Sequence, residues 1–194
     1  MIGRWLAVAV CAALLGGCLP VTSKTPVGTT TGLSADKALY GSWKGHSPDD
    51  AKAKDGFVHF LAAKDGSMTA VLVMADGGSD NGWTVFGVRT AALGKNHILN
   101  AVMTFDKDAP AEGGLKNATI PLLYVLKGKT LTLYLLDEAK VKAAIKAGTL
   151  KGTIEPGASG DAVISEDAAA LDAFFAKAEA VALFKPMLVL KKVE

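Results

Sequence analysis

Thiols, arginines and histidines are scarce in this chain, and each shortage removes a class of chemistry. Cysteine occurs twice, at Cys11 and Cys18. From Leu19 onward no side chain can form a disulfide, act as a thiol nucleophile or give a thiolate to a metal. Arginine occurs only at Arg4 and Arg89, so nearly all the positive charge is lysine. With 21 basic and 19 acidic side chains the formal charge is +2, far from the basic footprint of a nucleic-acid binder. Lysines mixed among acids describe a solvated surface. An apolar run able to cross a bilayer as a helix, about 20 residues, is also missing. The longest run, Trp5 to Leu15, is too short.

Catalytic signatures are equally thin. The histidines are His46, His59 and His97, on three separate segments, and no pair has helical ligand spacing. A loose metal site could be drawn from His46 with Asp49 and Asp50. Ser47-Pro48-Asp49-Asp50 reads more simply as a polar turn after a strand. No Gly-x-Ser-x-Gly elbow marks a nucleophile. The acids fall in loops and at helix ends rather than in pairs on strands, which argues against acid/base work. Gly77-Gly78 and Gly113-Gly114 lack the strand–glycine–helix order of a phosphate cradle. The expectation is a protein that is not an enzyme and needs no metal or cofactor.

The first residues have a clear organisation. Arg4 gives a positive start, Trp5 to Leu15 is apolar, and small residues follow at Gly16-Gly17 before Cys18. That is the layout of a secretory signal. Leu15-Gly16-Gly17-Cys18 resembles the lipobox of bacterial lipoproteins. The resemblance implies cleavage between Gly17 and Cys18 and acylation of the Cys18 thiol, with more than one chain, as stable anchoring requires. It also implies a cell-envelope location. Leu19, rather than an aspartate, follows the cysteine, and by the family rule this favours the outer membrane, facing the periplasm. The expected division is a signal peptide over 1–17, a lipidated flexible tether over 18–32, and one β-rich domain over 33–194. The tether expectation rests on Pro20, Pro26, Gly28 and Thr29-Thr30-Thr31, which lack periodicity.

Beyond the tether, short runs with two-residue alternation are separated by Gly, Asp, Asn and Pro. Strands are predicted over 39–46, 57–63, 67–75, 83–93, 97–105, 119–126, 130–136, 149–154, 161–164 and 187–193. In Thr130-Leu131-Thr132-Leu133-Tyr134-Leu135 the leucines share one face. Val71-Leu72-Val73-Met74 is apolar on both faces, so cover on both sides is expected. Asp65-Gly66 and Gly128 sit where hairpin turns belong. Two helices interrupt the pattern. One covers 137–147, capped by Asp137 and Gly148; the other covers 165–182, capped by Ser165 and stopped at Lys185-Pro186. The fold class is mainly β: an antiparallel meander forming a small barrel or strongly curved sheet, with two short helices packed on it.

Tyr40-Gly41-Ser42-Trp43 looks like the opening of lipocalin-type (calycin) barrels. The resemblance implies that Trp43 plugs one barrel end. In that family an arginine from a late strand covers the indole; Arg89 is mid-chain and departs from the pattern. The layout from Leu39 to Val193 is also similar to small uncharacterised proteobacterial lipoproteins. That resemblance rests on Tyr40–Trp43, on Leu131–Leu135 leading into a lysine-bearing helix, and on the closing helix and strand. It implies a fold and a location, with no active site to transfer. The expected function is therefore a membrane-anchored, non-catalytic binding or structural module. Its partner is a small apolar ligand inside the barrel or an envelope protein at its surface. Bulky apolar residues in a small barrel favour a filled interior, with the loops 76–82 and 106–117 as contact surfaces. The alternative is an envelope hydrolase acting on lipid or cell-wall substrates. It requires His46, His59 or His97 in a cleft beside an acid and a serine.

Overall fold

The structure is a computed structural model that describes residues 20–49, 54–73, 82–103, 118–155 and 161–193. Residues 1–19, with Gly17, Cys18 and the segment expected to be a signal peptide, lie outside the described residues, as do the 106–117 loop and all of the 76–82 loop except Gly82. In chain order the strands are β1 (Thr22–Ser23), β2 (Gly41–His46), β3 (Gly56–Ala62), β4 (Met68–Val73), β5 (Trp83–Leu93) and β6 (Asn96–Met103). They continue with β7 (Thr119–Lys127), β8 (Thr130–Leu136), β9 (Gly152–Ile154), β10 (Ala162–Ile164) and β11 (Phe184–Lys192). The helices are α1 (Glu138–Lys146) and α2 (Ala168–Phe175), with 3-10 turns at Lys37–Leu39 and Ala178–Leu183.

The neighbours run β6-β5-β4-β3-β2-β11-β8-β7, and β6 pairs with β7 to close the ring. The result is an eight-stranded antiparallel barrel of calycin-like form. Closure leaves these strands no free edge, which removes the hazard of an open sheet. The two-residue period then sorts side chains. Leu131, Leu133 and Leu135 point inward with Trp43, Val58, Phe60, Met68, Val88, Leu99, Leu122 and Leu190 to form one core. A second core lies outside the wall. It joins Ile98, Leu123 and Leu136 of the barrel to Val141 of α1, Leu171 and Phe175 of α2, and Phe184. The helices thus cover one outer side of the barrel. No helix among the described residues is long and apolar enough to cross a membrane.

Three expectations change. First, Val71 and Val73 point outward on β4 and stay partly exposed, so β4 is not buried on both sides. Their apolar pair is half-covered by its neighbours on the curved wall. Second, the late helix starts with Asp167 as its cap, whose side chain accepts from Ala170 N at 2.9 Å, and not with Ser165. It ends at Phe175 because the Asn96 amide donates to the Phe175 and Lys177 carbonyls, at 2.8 and 3.2 Å. Strand β11 then begins at Phe184 and takes Pro186 at a bulge. The first helix holds its expected caps: Asp137 accepts from Lys140 N, and Gly148 is left-handed at φ 70°.

Third, residues 20–32 are not a flexible tether. Val21 and Val27 are fully buried in the outer core. Thr22 and Ser23 form β1, parallel to β10, with Ser23 also beside Thr119 of β7. Val27 pairs with the Asn100 side chain as if with a strand: its N–H donates to Oδ1, and Asn100 Nδ2 donates to its carbonyl, both at 2.8 Å. Gly28 N and Thr30 N donate to the two oxygens of Asp172, at 2.5 and 2.8 Å. Gly28 is required there: φ is 92°, and any Cβ would overlap the Ala91 methyl. Residues 21–30 therefore pack on the barrel, and the segment is a strap across its outer wall.

Candidate functional site

One end of the barrel is shut by the chain that precedes β2. Asp36 caps the Lys37–Leu39 turn by accepting from Ala38 N at 2.9 Å. Leu39, wholly buried, drops into the end of the core. Trp43, at the start of β2 and facing inward, donates its indole N–H to the Leu39 carbonyl at 2.7 Å. Its structural position is that of an end plug. The cation over the indole comes from the last strand, as in the lipocalin pattern, but it is Lys192, 5.1 Å from the ring centroid. Arg89 instead pairs with Asp65 on the β3–β4 hairpin at 3.1 Å. The Ser67 hydroxyl and backbone N–H, with Arg89, hold Asp65 down at a pKa of about 2.

Tyr124 joins this end by donating to Asp36 at 2.8 Å. Burial, and then the hydrogen bond and charge of Asp36, push its phenol far above the ordinary value. A raised folded pKa stabilises the fold fully below the ordinary phenol pKa, about 10. That stability is lost as pH climbs toward the folded value. In an alkaline titration read by tyrosinate absorbance, Tyr124 is expected to stay neutral until the barrel unfolds. Tyr124→Phe should flatten the fall in stability above pH about 10. An unchanged alkaline slope would refute the assignment.

Toward the opposite end the described inward side chains are slightly less buried. Along β8, exposure of the inward leucines rises from 0% at Leu131 to 4% at Leu133 and 7% at Leu135. On β4 it rises from 0% at Met68 to 5% at Ala70, and Leu72 is only partly buried. On β11 it goes from 1% at Leu190 to 8% at Leu188. Val88 is buried on β5, whereas Phe86, one inward step on, is partly exposed. The inward side chains nearest that end are Leu72, Phe86, Ile120, Leu122, Leu135 and Leu188, none of them charged.

The histidines lie elsewhere. His59 faces outward on β3, opposite to Val58 and Phe60 as expected, and its Nδ1 shares a hydrogen bond with Ser42 Oγ at 2.8 Å. His46 pairs with Asp55 at 2.9 Å, not with Asp49; Asp50 lies outside the described residues. The hydrogen bond from His46, aided by Lys44, lowers the Asp55 pKa. Between the two pairs, Phe57 stacks on His59 at 6.0 Å, and Lys44 Nζ lies 5.9 Å from the Phe57 ring centroid. His97 is exposed at the closed end, its ring tilted against Tyr124. So a serine–histidine pair and a histidine–acid pair exist, on the outer wall and four residues apart along β2, with different imidazoles. Among the described residues no three His, Cys, Asp or Glu side chains gather as a metal site. A shallow outer groove of about 210 Å³ lies between the strap and the β3–β4 hairpin, along Asp65, Gly87, Arg89 and Asn100. Its guanidinium is already paired with Asp65, so it offers a ligand little.

Sequence reasoning missed Lys192, Asp36, Asn100 and Asp172. Asp172 had a signal: it stands next to Leu171 and one turn before Phe175 on the apolar face of a helix. No protein-family model, curated protein or solved structure matches this chain.

Proposed function

We propose that this chain is a lipid-anchored protein of the cell envelope whose barrel is a non-catalytic cup for a small apolar ligand, such as an acyl chain. The anchor is Cys18 of the lipobox-like Leu15-Gly16-Gly17-Cys18, on the outer membrane facing the periplasm. The observation that supports the cup is an uncharged interior whose inward side chains are fully buried at Leu39 and Trp43 and less completely so at Leu72, Phe86 and Leu135. An apolar lining with few polar groups suits an apolar ligand. A ligand of this kind would enter among the less completely buried inward side chains, Leu72 and Phe86.

The hydrolase alternative has the Ser42–His59 bond in its favour. Against it, the neighbouring acid Asp55 serves His46 and Lys44 instead of orienting His59. A fluorescent long-chain fatty acid tests the cup. Wild-type protein should bind it saturably at one per chain. Leu72→Glu, placing a charge in the mouth, should weaken binding roughly tenfold or more, because a desolvated carboxylate is costly. Leu61→Glu, on the outer wall at 53% exposure, should not. Equal effects from the two variants, or no saturable binding, would sink the cup. The anchor is tested alongside: Cys18→Ser should move the protein from the membrane to the soluble fraction.

A further inference from the structure

We infer that the outer wall of β3 to β5 is a docking surface for another protein, which lays on it the apolar face of a helix flanked by carboxylates. An antiparallel strand with one wet face puts polar residues on that face. Two parts of the barrel follow this rule: β2 turns Ser42, Lys44 and His46 outward, and β8 turns out Thr130 and Thr132. On β6 and β7 the outward Ile98 and Leu123 are apolar, and the strap, α1 and α2 pack over them. On β3, β4 and β5 the rule fails without such cover. Phe57, Leu61, Val71, Val73, Trp83 and Val85 point outward, and none of them belongs to either core. Leu61 is 53% exposed and Trp83 55%. The alternation-free run of β4 predicts apolar cover on both faces, and no described part of this chain supplies the outer one.

Register makes these side chains one patch. Phe57, Val73 and Trp83 lie side by side across the three strands, and His59, Val71 and Val85 form the next row. Leu61 stands one row further, beside Thr69. The patch is two strand spacings wide, about 10 Å, which is the width of one α-helix. From Phe57 to Leu61 it runs about 13 Å, the length of about nine helical residues. The other half of the barrel is covered in this way by α1 and α2, of nine and eight residues. A footprint of this size suits a transient partner.

The border of the patch gives the partner's charge. None of the eight barrel strands contains an Asp or a Glu. Next to Phe57, Lys44 on β2 and Lys191 on β11 stand directly opposite each other, both exposed. Like charges so placed repel. Asp55 meets Lys44 at 3.3 Å and leaves Lys191 uncompensated. A carboxylate on the flank of a docked helix relieves that repulsion. A second copy of this chain does the reverse, because two such walls face to face set lysine against lysine with no strand acid between them.

Photo-crosslinking of the full chain in living cells tests the surface. The probe p-benzoylphenylalanine is placed at Leu61 or at Trp83, both exposed, so the cores are left alone. The control site is Lys127, exposed on the β7–β8 hairpin. Both wall sites should give the same protein product, several-fold stronger than any from the control. The crosslinked peptide should be an amphipathic helical segment with Asp or Glu along its flank. Lys44→Glu combined with Lys191→Glu should cut the product roughly tenfold at equal chain levels, since like charges across an interface are costly. Changing the captured segment's flanking acids to lysine should restore it. A product joining two copies of this chain overturns the inference, as does one with lipid alone. Equal yields from the wall and control sites overturn it too. So does a captured segment that lacks acids or is indifferent to the double charge reversal.

Discussion

Trp43→Ala is expected to cost about 3–5 kcal/mol of folding stability, the range for deleting a buried large aromatic side chain. Against a total of about 5–15 kcal/mol for a domain of this kind, that is the largest single loss a core substitution should give here. The reasons are local and several. Trp43 is 0% exposed and heads the largest fully buried side chains. It lies opposite Val58 on β3, so its removal leaves a void at the narrow end of the barrel. The Leu39 carbonyl would lose its indole donor, and Lys192 the ring beneath it. Trp43→Phe separates these contributions. It keeps most of the apolar volume and loses the N–H, and should cost about 1–3 kcal/mol, the penalty for an acceptor left unsatisfied. Urea unfolding of the two variants measures both. If Trp43→Ala fell within about 1 kcal/mol of wild type, the plug would have no energetic meaning.

The barrel strands were legible because each has one wet and one dry face, and that writes a two-residue period into the sequence. Residues 83–93 and 130–136 read as strands to the residue, and most others within two positions. What alternation cannot say is whether the last neighbours meet. Closure depends on β6 pairing with β7 across residues 104–117, a non-local event. The strap was illegible for a related reason. Its own residues carry no period, and the groups that order it, Asn100 and Asp172, are remote in sequence. The truncation of the late helix has the same origin, since Asn96 reaches across to satisfy its last carbonyls. The indole-covering cation was sought as an arginine; the position near the end of the last strand holds, and the chemistry there is a lysine. The cup was only half legible. The pattern shows which residues face in, but not that exposure rises slightly from Leu131 to Leu135.

Asp172→Ala should release the strap while leaving the barrel closed. The carboxylate is 4% exposed and accepts three hydrogen bonds from the strap: from Gly28 N at 2.5 Å, Thr30 N at 2.8 Å and Thr30 Oγ1 at 2.5 Å. Alanine leaves two backbone donors without an acceptor, and each such loss costs about 1–3 kcal/mol if the donor stays dry. The cheaper response is for residues 28–32 to leave the wall and take up water. The expected loss is then about 2–4 kcal/mol, bounded by the packing of Val27 and the Asn100 pair that remain behind. Amide exchange separates this from a general weakening. Protection should vanish at Gly28 to Thr31 and persist in β3, β4 and β8. Asp172→Asn keeps the shape and one acceptor oxygen, so it should fall between wild type and alanine. Thr30→Val in the alanine background should add almost nothing, because its hydroxyl partner has already gone. If the strap amides stayed protected in Asp172→Ala, the carboxylate would not be what holds the segment, and its order would have to come from Val21, Val27 and Asn100 alone.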